Sequence, residues 1–209
     1  HKCHNEGKVS LVATEFLASM ENSNHPTRAE VSDVANAVLD GVDAVILSGE
    51  TTVGKYPIEV LTMMEKIIET AEKDIPYYEL LDSAMRTEEE GITGSIAYSV
   101  ATCANRLRCV AIVTPTVTGY TARRISRFRP SCPIVTLSSD EAVIKQLSLC
   151  FGVYGVKISE FTSFDKMMKQ SISSLKEFMD TKEHDKVIIT GGYPFHEVKH
   201  TNFMRIEEL

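Results

Sequence analysis

Two apolar segments of the sequence are each followed directly by a hydroxyl side chain beside a carboxylate. Thr14 in VATE follows segment 9–13, and Ser48 and Glu50 in LSGET follow segment 44–47. In parallel α/β structures the loops that leave the carboxyl ends of the strands converge on the ligand, so these residues are candidates for catalysis. The alternative interpretation is that Thr14 and Ser48 only cap the helices that follow, which is a common role for hydroxyl residues.

A third apolar segment, 109–114, is followed by the sequence PTVTGYTARR. Thr116, Thr118, Gly119 and Thr121 offer hydroxyls and free backbone amides at the start of a predicted helix. This combination is suited to holding a phosphate group. The alternative is again a capped helix without a ligand.

These candidate sites need strands and helices to position them. Short, β-branched segments predict strands at 9–13, 44–47, 109–114, 133–137, 153–158, 186–190 and 203–206. Segments with helical periodicity lie between them, and strands that alternate with helices predict a parallel α/β sheet. We interpret the apolar stripes of the helices as core packing. In the first long one we expect the stripe to be Ile58, Leu61, Met64, Ile68 and Ala71.

A change in composition divides the chain into two parts. Pro76 and the acidic run of residues 88–90 interrupt the periodicity, so we predict a first unit at 1–73, a linker at 74–90 and a second unit at 91–209. The second unit has enough strands to close a five-stranded, mostly parallel sheet with the last strand antiparallel at an edge. Two strands cannot cover their own edges, so we expect the first unit to belong to a longer chain.

Composition and charge disfavour several classes of function. The net charge is −7 and the pI is about 5.4, which oppose a broad attraction to nucleic acid or to an anionic membrane. A basic cluster is present, but no aromatic stacking platform accompanies it, so we expect no nucleic-acid partner. The cluster consists of Arg123, Arg124, Arg127 and Arg129.

The cysteine and histidine patterns favour no disulfide framework and no metal site. There are five cysteines without a CxxC pair, which predicts a reducing compartment and a cytoplasmic protein. We interpret Cys103, Cys109, Cys132 and Cys150 as core residues. The histidines at 1 and 4 and at 196 and 200 have metal-like spacings, but no further ligand accompanies them, so we expect no metal there. No apolar run is long enough to cross a membrane.

Residues 25–60, HPTRAEVSDVANAVLDGVDAVILSGETTVGKYPIEV, closely resemble pyruvate kinases. PTRAE, DVANAV.DG and LSGET..G.YP are specific to that family in combination, and VATEFLASM is similar to its segment at the end of the preceding barrel strand. The resemblance extends over the whole chain. It implies an α/β fold made of the last two strand–helix units of a (β/α)8 barrel followed by a complete three-layer α/β domain.

The resemblance also implies a reaction, which is phosphoryl transfer from phosphoenolpyruvate to ADP. It implies Mg2+ or Mn2+ and K+ as cofactors. Thr14 would lie beside the pyruvate moiety, and Ser48 and Glu50 would help to deliver a proton to the enolate carbon. The family's metal-binding carboxylates, electrophilic lysine and phosphate-binding arginine match no residue of this chain, so we expect the 209 residues alone to be inactive. Glu15 departs from the family, which commonly has Gln there.

Subunit and effector contacts are implied in the same way. Arg28 and Glu30 fall where the family builds a subunit contact, so the resemblance implies a homotetramer. It also places a loop that holds the phosphate of a sugar-phosphate effector at Thr116, Val117, Thr118, Gly119, Tyr120 and Thr121. The family's second effector loop corresponds to GGYPFHEVKHTN, where Lys199 is a candidate anion contact, but residues 195–200 lack the glycines of related bacterial enzymes.

Two functions from different classes remain open at this point. The chain is part of a pyruvate kinase, or it is a free-standing, non-catalytic module that binds a phosphorylated metabolite or mediates assembly. The residues favour the first hypothesis.

Overall fold

A computed structural model describes residues 2–85, 91–194 and 201–209. The chain divides into two compact units, His1–Pro76 and Tyr77–Leu209. Part of the segment predicted as a linker, 74–90, forms a helix, Tyr77–Met85, that belongs to the second unit.

The first unit contains two short parallel strands and the helices that follow them. Its elements are α1 (Lys2–Asn5), β1 (Leu11–Val12), a 3-10 helix (Ala18–Glu21), α2 (Arg28–Leu39), β2 (Ala44–Val45), α3 (Gly49–Thr52) and α4 (Pro57–Glu72). β1 pairs with β2 in parallel, with Leu11 opposite Ala44 and Val12 opposite Val45. Both strands lie where the sequence predicts them, and both are shorter than predicted.

The core of the first unit is formed by one face each of α2 and α4 together with the turn after β1. Its fully or nearly buried members are Phe16, Leu17, Met20, Val34, Val60, Met64 and Ile67. The predicted stripe of α4 is partly wrong, because Ile58 and Leu61 are 71% and 58% exposed. α4 carries apolar residues on several sides, so its periodicity alone does not decide which side is buried.

The second unit is built on a five-stranded sheet in the order β5-β4-β3-β6-β7. Its elements are α5 (Tyr77–Met85), α6 (Ile92–Leu107), β3 (Ala111–Pro115), α7 (Tyr120–Ser126), β4 (Ile134–Ser138), α8 (Glu141–Leu147), β5 (Val153–Lys157), α9 (Phe164–Phe178), β6 (Lys186–Gly191) and β7 (Phe203–Glu208). Four strands are parallel, and β7 pairs antiparallel with β6 at the edge. The prediction of a mostly parallel sheet with an antiparallel last strand is confirmed.

Helices cover this sheet because its central strands are apolar on both faces. Every residue of β3 and β4 is buried. Ala111 and Val113 point toward α9 in a cluster with Met167 and Leu175, and the alternate residues point to the opposite face. There α6 contacts β3 and β6, and α7 contacts β4. The three-layer architecture follows from this alternation.

The order in which the strands are added to the sheet changes side at β3. The chain runs from β3 outward through β4 to β5 and then returns to β6 on the other side of β3. The carboxyl ends of these four parallel strands therefore share one edge, which is where ligands bind in open α/β sheets. Within residues 2–85, 91–194 and 201–209, none of the helices has the length and apolar character needed to cross a membrane.

Candidate functional site

The two hydroxyl–carboxylate segments leave the β1–β2 pair at the same end. The Ile46 N–H donates to the Val12 carbonyl at 2.9 Å, which continues the parallel pairing past β2. Thr14 comes two residues after β1 and Ser48 three residues after β2, and both residues are exposed. Parallel pairing is what brings positions so distant in sequence to one edge.

The turn after β2 holds a buried carboxylate against the backbone of Ser48. The Ser48 N–H donates to Oε2 of Glu50 at 2.7 Å, and Glu50 is 3% exposed. Ser48 Oγ makes no capping hydrogen bond to α3. Ser48 is the N-cap residue by position, but its hydroxyl is not used for capping, so the simple capping interpretation does not account for its side chain.

Thr14 does not cap a helix either. The residue at the N-cap of the following 3-10 helix is Leu17, in a left-handed conformation with φ 55°. The Thr14 carbonyl accepts a hydrogen bond from the Phe16 N–H at 2.7 Å, which forms a tight turn directly after the strand. Its neighbour Glu15 is exposed.

A third carboxylate, Glu21, lies at the same turn, and sequence reasoning missed it. A Cβ added to Gly49 would collide with Oε1 of Glu21, so the glycine lets this carboxylate lie against the backbone of the turn. The Glu21 carbonyl also accepts a hydrogen bond from the Lys55 N–H at 2.9 Å. No motif includes Glu21, because its position depends on the packing of the 3-10 helix against α3.

Glu30 fixes the start of α2. The Thr27 hydroxyl and the Glu30 carboxylate form a reciprocal capping box, with the Glu30 N–H donating to Thr27 Oγ1 at 3.3 Å and the Thr27 N–H to Glu30 Oε2 at 2.7 Å. Ser19 donates to the same carboxylate from its N–H at 2.7 Å and from Oγ at 2.6 Å. Glu30 therefore connects α2 to the 3-10 helix, whereas Arg28 is exposed.

These hydrogen bonds change the acidity of Glu30. Partial burial alone would raise its pKa, but the bonds donated by Ser19 and Thr27 stabilise the ionised form and lower the pKa from 4.5 to about 2. Glu30 is thus ionised at all ordinary pH values.

The loop that carries the predicted phosphate contacts is partly open to solvent. Thr116 accepts a hydrogen bond on Oγ1 from the Gly119 N–H at 3.0 Å, and Gly119 has φ 74°, a conformation that favours glycine. Val117 is 57% exposed, whereas Thr121 is 3% exposed. Tyr120, at the first position of α7, is half-buried.

Thr121 is engaged inside the protein. Its Oγ1 lies 2.8 Å from Oγ1 of Thr201, and the Thr201 N–H donates to Thr93 Oγ1 at 3.3 Å. The three threonines join the starts of α7 and α6 to the residues before β7. The structure therefore places the Thr121 hydroxyl in an internal network and not at the surface of the loop.

A cavity of about 110 Å³ adjoins this loop at the carboxyl ends of β3, β4 and β5. Thr116 and Val117 line one wall. The other lining residues are Ser139, Ile158, Ser159, Glu160 and Phe161. Sequence reasoning missed these five, although the shared edge of parallel strands is the signal that could have indicated the loops after β4 and β5.

Some predicted contacts are outside this site or outside the described residues. Lys199 lies in segment 195–200, which is outside the described residues. Arg127 and Arg129, which the sequence places in a basic cluster, are 5% and 3% exposed and lie over the rings of Phe128 and Phe151. Among the residues that the structure describes, no group of three or more His, Cys, Asp or Glu could hold a metal ion.

Two models of protein families match the chain. A model described as "Pyruvate kinase, barrel domain" matches residues 1–61. A model described as "Pyruvate kinase, alpha/beta domain" matches residues 94–207. Each match falls in one of the two compact units.

Individual relatives agree with the family models. A pyruvate kinase of Geobacillus stearothermophilus is 40% identical over 205 residues, which are 98% of this chain and 35% of that protein. A pyruvate kinase of Clostridium acetobutylicum is 36% identical over 206 residues, which are 99% of this chain and 44% of that protein. The crystal structure of a pyruvate kinase from Cryptosporidium parvum has a TM-score of 0.91 and 33% identity, and the match covers 99% of this chain and 41% of that one. The chain thus spans less than half of the length of these relatives.

Proposed function

Because the chain belongs to the pyruvate kinase family, we propose that it takes part in phosphoryl transfer from phosphoenolpyruvate to ADP, giving pyruvate and ATP in glycolysis. Residues 1–73 supply the end of the catalytic barrel, and residues 91–209 form the effector and assembly domain. The observation that carries this proposal is the parallel β1–β2 pair, from which Thr14 and the Ser48–Glu50 turn leave at one edge.

The role of this edge is to protonate the enolate of pyruvate. The Ser48 N–H donates to the Glu50 carboxylate, so this carboxylate has a fixed position next to Ser48. A water molecule ordered by these two groups donates a proton to the enolate carbon, and the hydroxide that remains regains a proton from bulk water. Thr14 lies beside the pyruvate moiety and positions it.

The metal ions of the reaction bind elsewhere in the proposed enzyme. Mg2+ or Mn2+ and K+ would neutralise the charge of the transferred phosphoryl group. The described residues include no cluster suited to a metal ion, so we assign no ligand to this chain. The family's metal-binding carboxylates, electrophilic lysine and phosphate-binding arginine match no residue of this chain, so we expect the 209 residues alone to be inactive toward phosphoenolpyruvate and ADP.

The test is a kinetic comparison in an enzyme that contains this segment together with a complete barrel. Replacing Ser48 with alanine should lower kcat by about 10²–10⁴-fold, the usual contribution of proton transfer, with a much smaller change in KM. Thr70→Ala is the matched control, because Thr70 is exposed and its hydroxyl donates to the Lys66 carbonyl within its own helix. An unchanged kcat for Ser48→Ala would refute this role. The unmodified 209-residue chain should form no pyruvate in the same assay.

Assembly is a second part of the proposal. The exposed Arg28 at the start of α2 contacts another copy in a cytoplasmic homotetramer, and Glu30 supports this surface from within by fixing the helix start. Sedimentation of the enzyme with Arg28→Ala should show a shift from tetramer to smaller species. If the Arg28→Ala variant remains a tetramer, Arg28 does not contribute to the interface.

The second unit binds a phosphorylated effector. The support is the cavity beside Thr116 and Val117 at the ligand-binding edge of the sheet. A sugar phosphate at a hundredfold excess over its Kd should stabilise the chain by about 2.7 kcal/mol and raise its melting temperature by several degrees. Thr118→Val should reduce this rise and Thr70→Ala should not. If no phosphorylated ligand raises the melting temperature, the proposed effector site is wrong.

A further inference from the structure

The two sides of the cavity next to the threonine loop differ in chemistry. The loop side has the hydroxyl of Thr116 and a nearby cation, since Nη2 of Arg123 donates to the Thr118 carbonyl at 3.1 Å. The side formed after β4 and β5 has two serines, Ser139 and Ser159, and the carboxylate residue Glu160. The ends of the cavity are therefore suited to different parts of a ligand.

The charges around the β4 and β5 ends strengthen this difference. Lys157, the last residue of β5, is 3.4 Å from a carboxylate oxygen of Glu141, and Lys145 on α8 is 2.9 Å from the other oxygen of the same carboxylate. Asp140, one residue after Ser139, accepts a hydrogen bond from the Ala142 N–H at 2.8 Å as the cap of α8. With Asp140 and Glu160, the carboxylates on this side outnumber the two lysines by one, so the side keeps a small excess of negative charge.

We propose that Glu160 makes this site selective for a phosphate monoester with a neutral, hydroxyl-bearing body and against a bisphosphate. This inference rests on the proposed effector site. The single phosphate binds on the threonine side, and the hydroxyl groups of the body donate to the Glu160 carboxylate and bond the serines. A second phosphate would face an ionised glutamate, which repels it electrostatically.

Two sources could supply such a ligand, a sugar monophosphate or a nucleoside monophosphate. Both present one phosphate and a body with vicinal hydroxyls. Phe161 lines the cavity as well and offers an apolar surface to either a sugar ring or a base. The ligands tested must therefore include both kinds.

The experiment measures affinities by isothermal titration calorimetry with the 209-residue chain. The ligands are fructose 6-phosphate and fructose 1,6-bisphosphate, which differ by one phosphate, and AMP as the nucleoside monophosphate. The variants are Glu160→Gln and the control Glu177→Gln, which removes the same charge from an exposed position on α9. Ionic strength is kept low, since the effect is a screened charge interaction.

We expect the unmodified chain to bind a monophosphate at least as tightly as the bisphosphate. Glu160→Gln should strengthen bisphosphate binding by about threefold to tenfold and change monophosphate binding by less than about twofold, and Glu177→Gln should change neither. A preference for fructose 6-phosphate or for AMP identifies the source of the ligand.

Two other outcomes overturn the inference in different ways. If the bisphosphate binds much more tightly than the monophosphate in the unmodified chain, or if Glu160→Gln changes both affinities equally, the charge selection is wrong and the effector site itself stands. If no phosphorylated ligand binds to the unmodified chain or to Glu160→Gln, the effector site fails and the inference fails with it.

Discussion

The two units of the chain use the same parallel pairing of strands with very different depths of burial. In the second unit, β3 and β4 are buried at every position and β3 has a strand on each side. In the first unit, β1 and β2 have two residues each, none of them fully buried. The same secondary structure is therefore a closed core in one unit and an accessible edge in the other.

The interactions that stabilise the two units differ accordingly. The second unit is held by apolar side chains on both faces of its sheet, among them Ile112, Val135 and Ile188, all 0% exposed. The first unit has a smaller core between helices, and its 3-10 helix and α2 are joined by the charged hydrogen bonds of Glu30.

Because of this difference in burial, the candidate catalytic residues lie at the strand ends of the first unit, whereas the central strands of the second unit form its core. The exposed strand exits of the first unit present Thr14 and Ser48, and Leu11 and Ile46 nearby leave 44% and 38% of their surfaces exposed. In our proposal, further barrel strands cover this apolar surface. The second unit has a five-stranded sheet of its own, and in the same proposal it is the regulatory domain.

The largest expected effect comes from the central sheet of the second unit. Ile188→Ala on β6 removes a fully buried side chain, so it should lower the free energy of unfolding of this unit by about 2–5 kcal/mol. Hydrogen exchange of the peptide that covers β3 should report this loss as faster exchange.

Two controls test whether depth of burial is the cause. Ile206 is directly opposite Ile188 on β7 and is 43% exposed, and Val45 on β2 of the first unit is half-buried. Ile206→Ala and Val45→Ala should each cost less than about 1 kcal/mol in their own unit. If Ile188→Ala and Val45→Ala lowered the free energy of unfolding by the same amount, depth of burial would not distinguish the two units.

Much of the fold could be predicted from the sequence because its signals are local. The seven strands found in the described residues all overlap their predicted segments, and the antiparallel last strand is confirmed. The capped start of α2 at Thr27 and its end before Gly41, which has φ 82°, follow from capping chemistry. The family could be recognised from LSGET and PTRAE, which is a matter of resemblance and not of local physics.

The parts that could not be predicted depend on contacts between distant segments. Glu21 reaches Gly49, and Ser19 reaches Glu30, only after the 3-10 helix has packed. Burial of Thr121 depends on Thr201, which is 80 residues away. The buried side of α4 was predicted incorrectly at Ile58 and Leu61 for the same reason, since the packing partner decides between its apolar sides.

The next effect in size tests the polar cohesion of the first unit. Glu30→Gln removes the charge that accepts bonds from Ser19 and Thr27, and it should destabilise this unit by about 1–2 kcal/mol at pH 7, a figure reduced for the partial exposure of the group. Hydrogen exchange of the peptide that covers α2 is the measurement.

The pH dependence of this cost has a definite sign. The pKa of Glu30 is lower in the folded protein, about 2, than its ordinary value of 4.5, so the unfolded chain binds more protons between these values. The stabilisation is fully present above pH 4.5 and is lost as the pH falls toward 2, and the cost of Glu30→Gln should shrink over that range. The exposed Glu65 on α4 is the control, and Glu65→Gln should show no comparable change. A cost of Glu30→Gln that does not vary with pH would contradict this account.

The smallest effect concerns a polar pair inside the apolar second unit. Thr121→Val removes one hydroxyl of the pair with Thr201 and leaves the other buried hydroxyl without that partner, so it should cost about 1 kcal/mol. Replacing both threonines with valine removes the unpaired group, and the double variant should be nearly as stable as the unmodified chain, as a double-mutant cycle by hydrogen exchange would show. No equivalent double substitution is available for Glu30, because its single carboxylate accepts hydrogen bonds from both Ser19 and Thr27. If the double variant loses as much free energy of unfolding as the two single variants together, the threonine pair itself stabilises the second unit. Polar contacts would then stabilise both units, and the two would differ only in how much they depend on them.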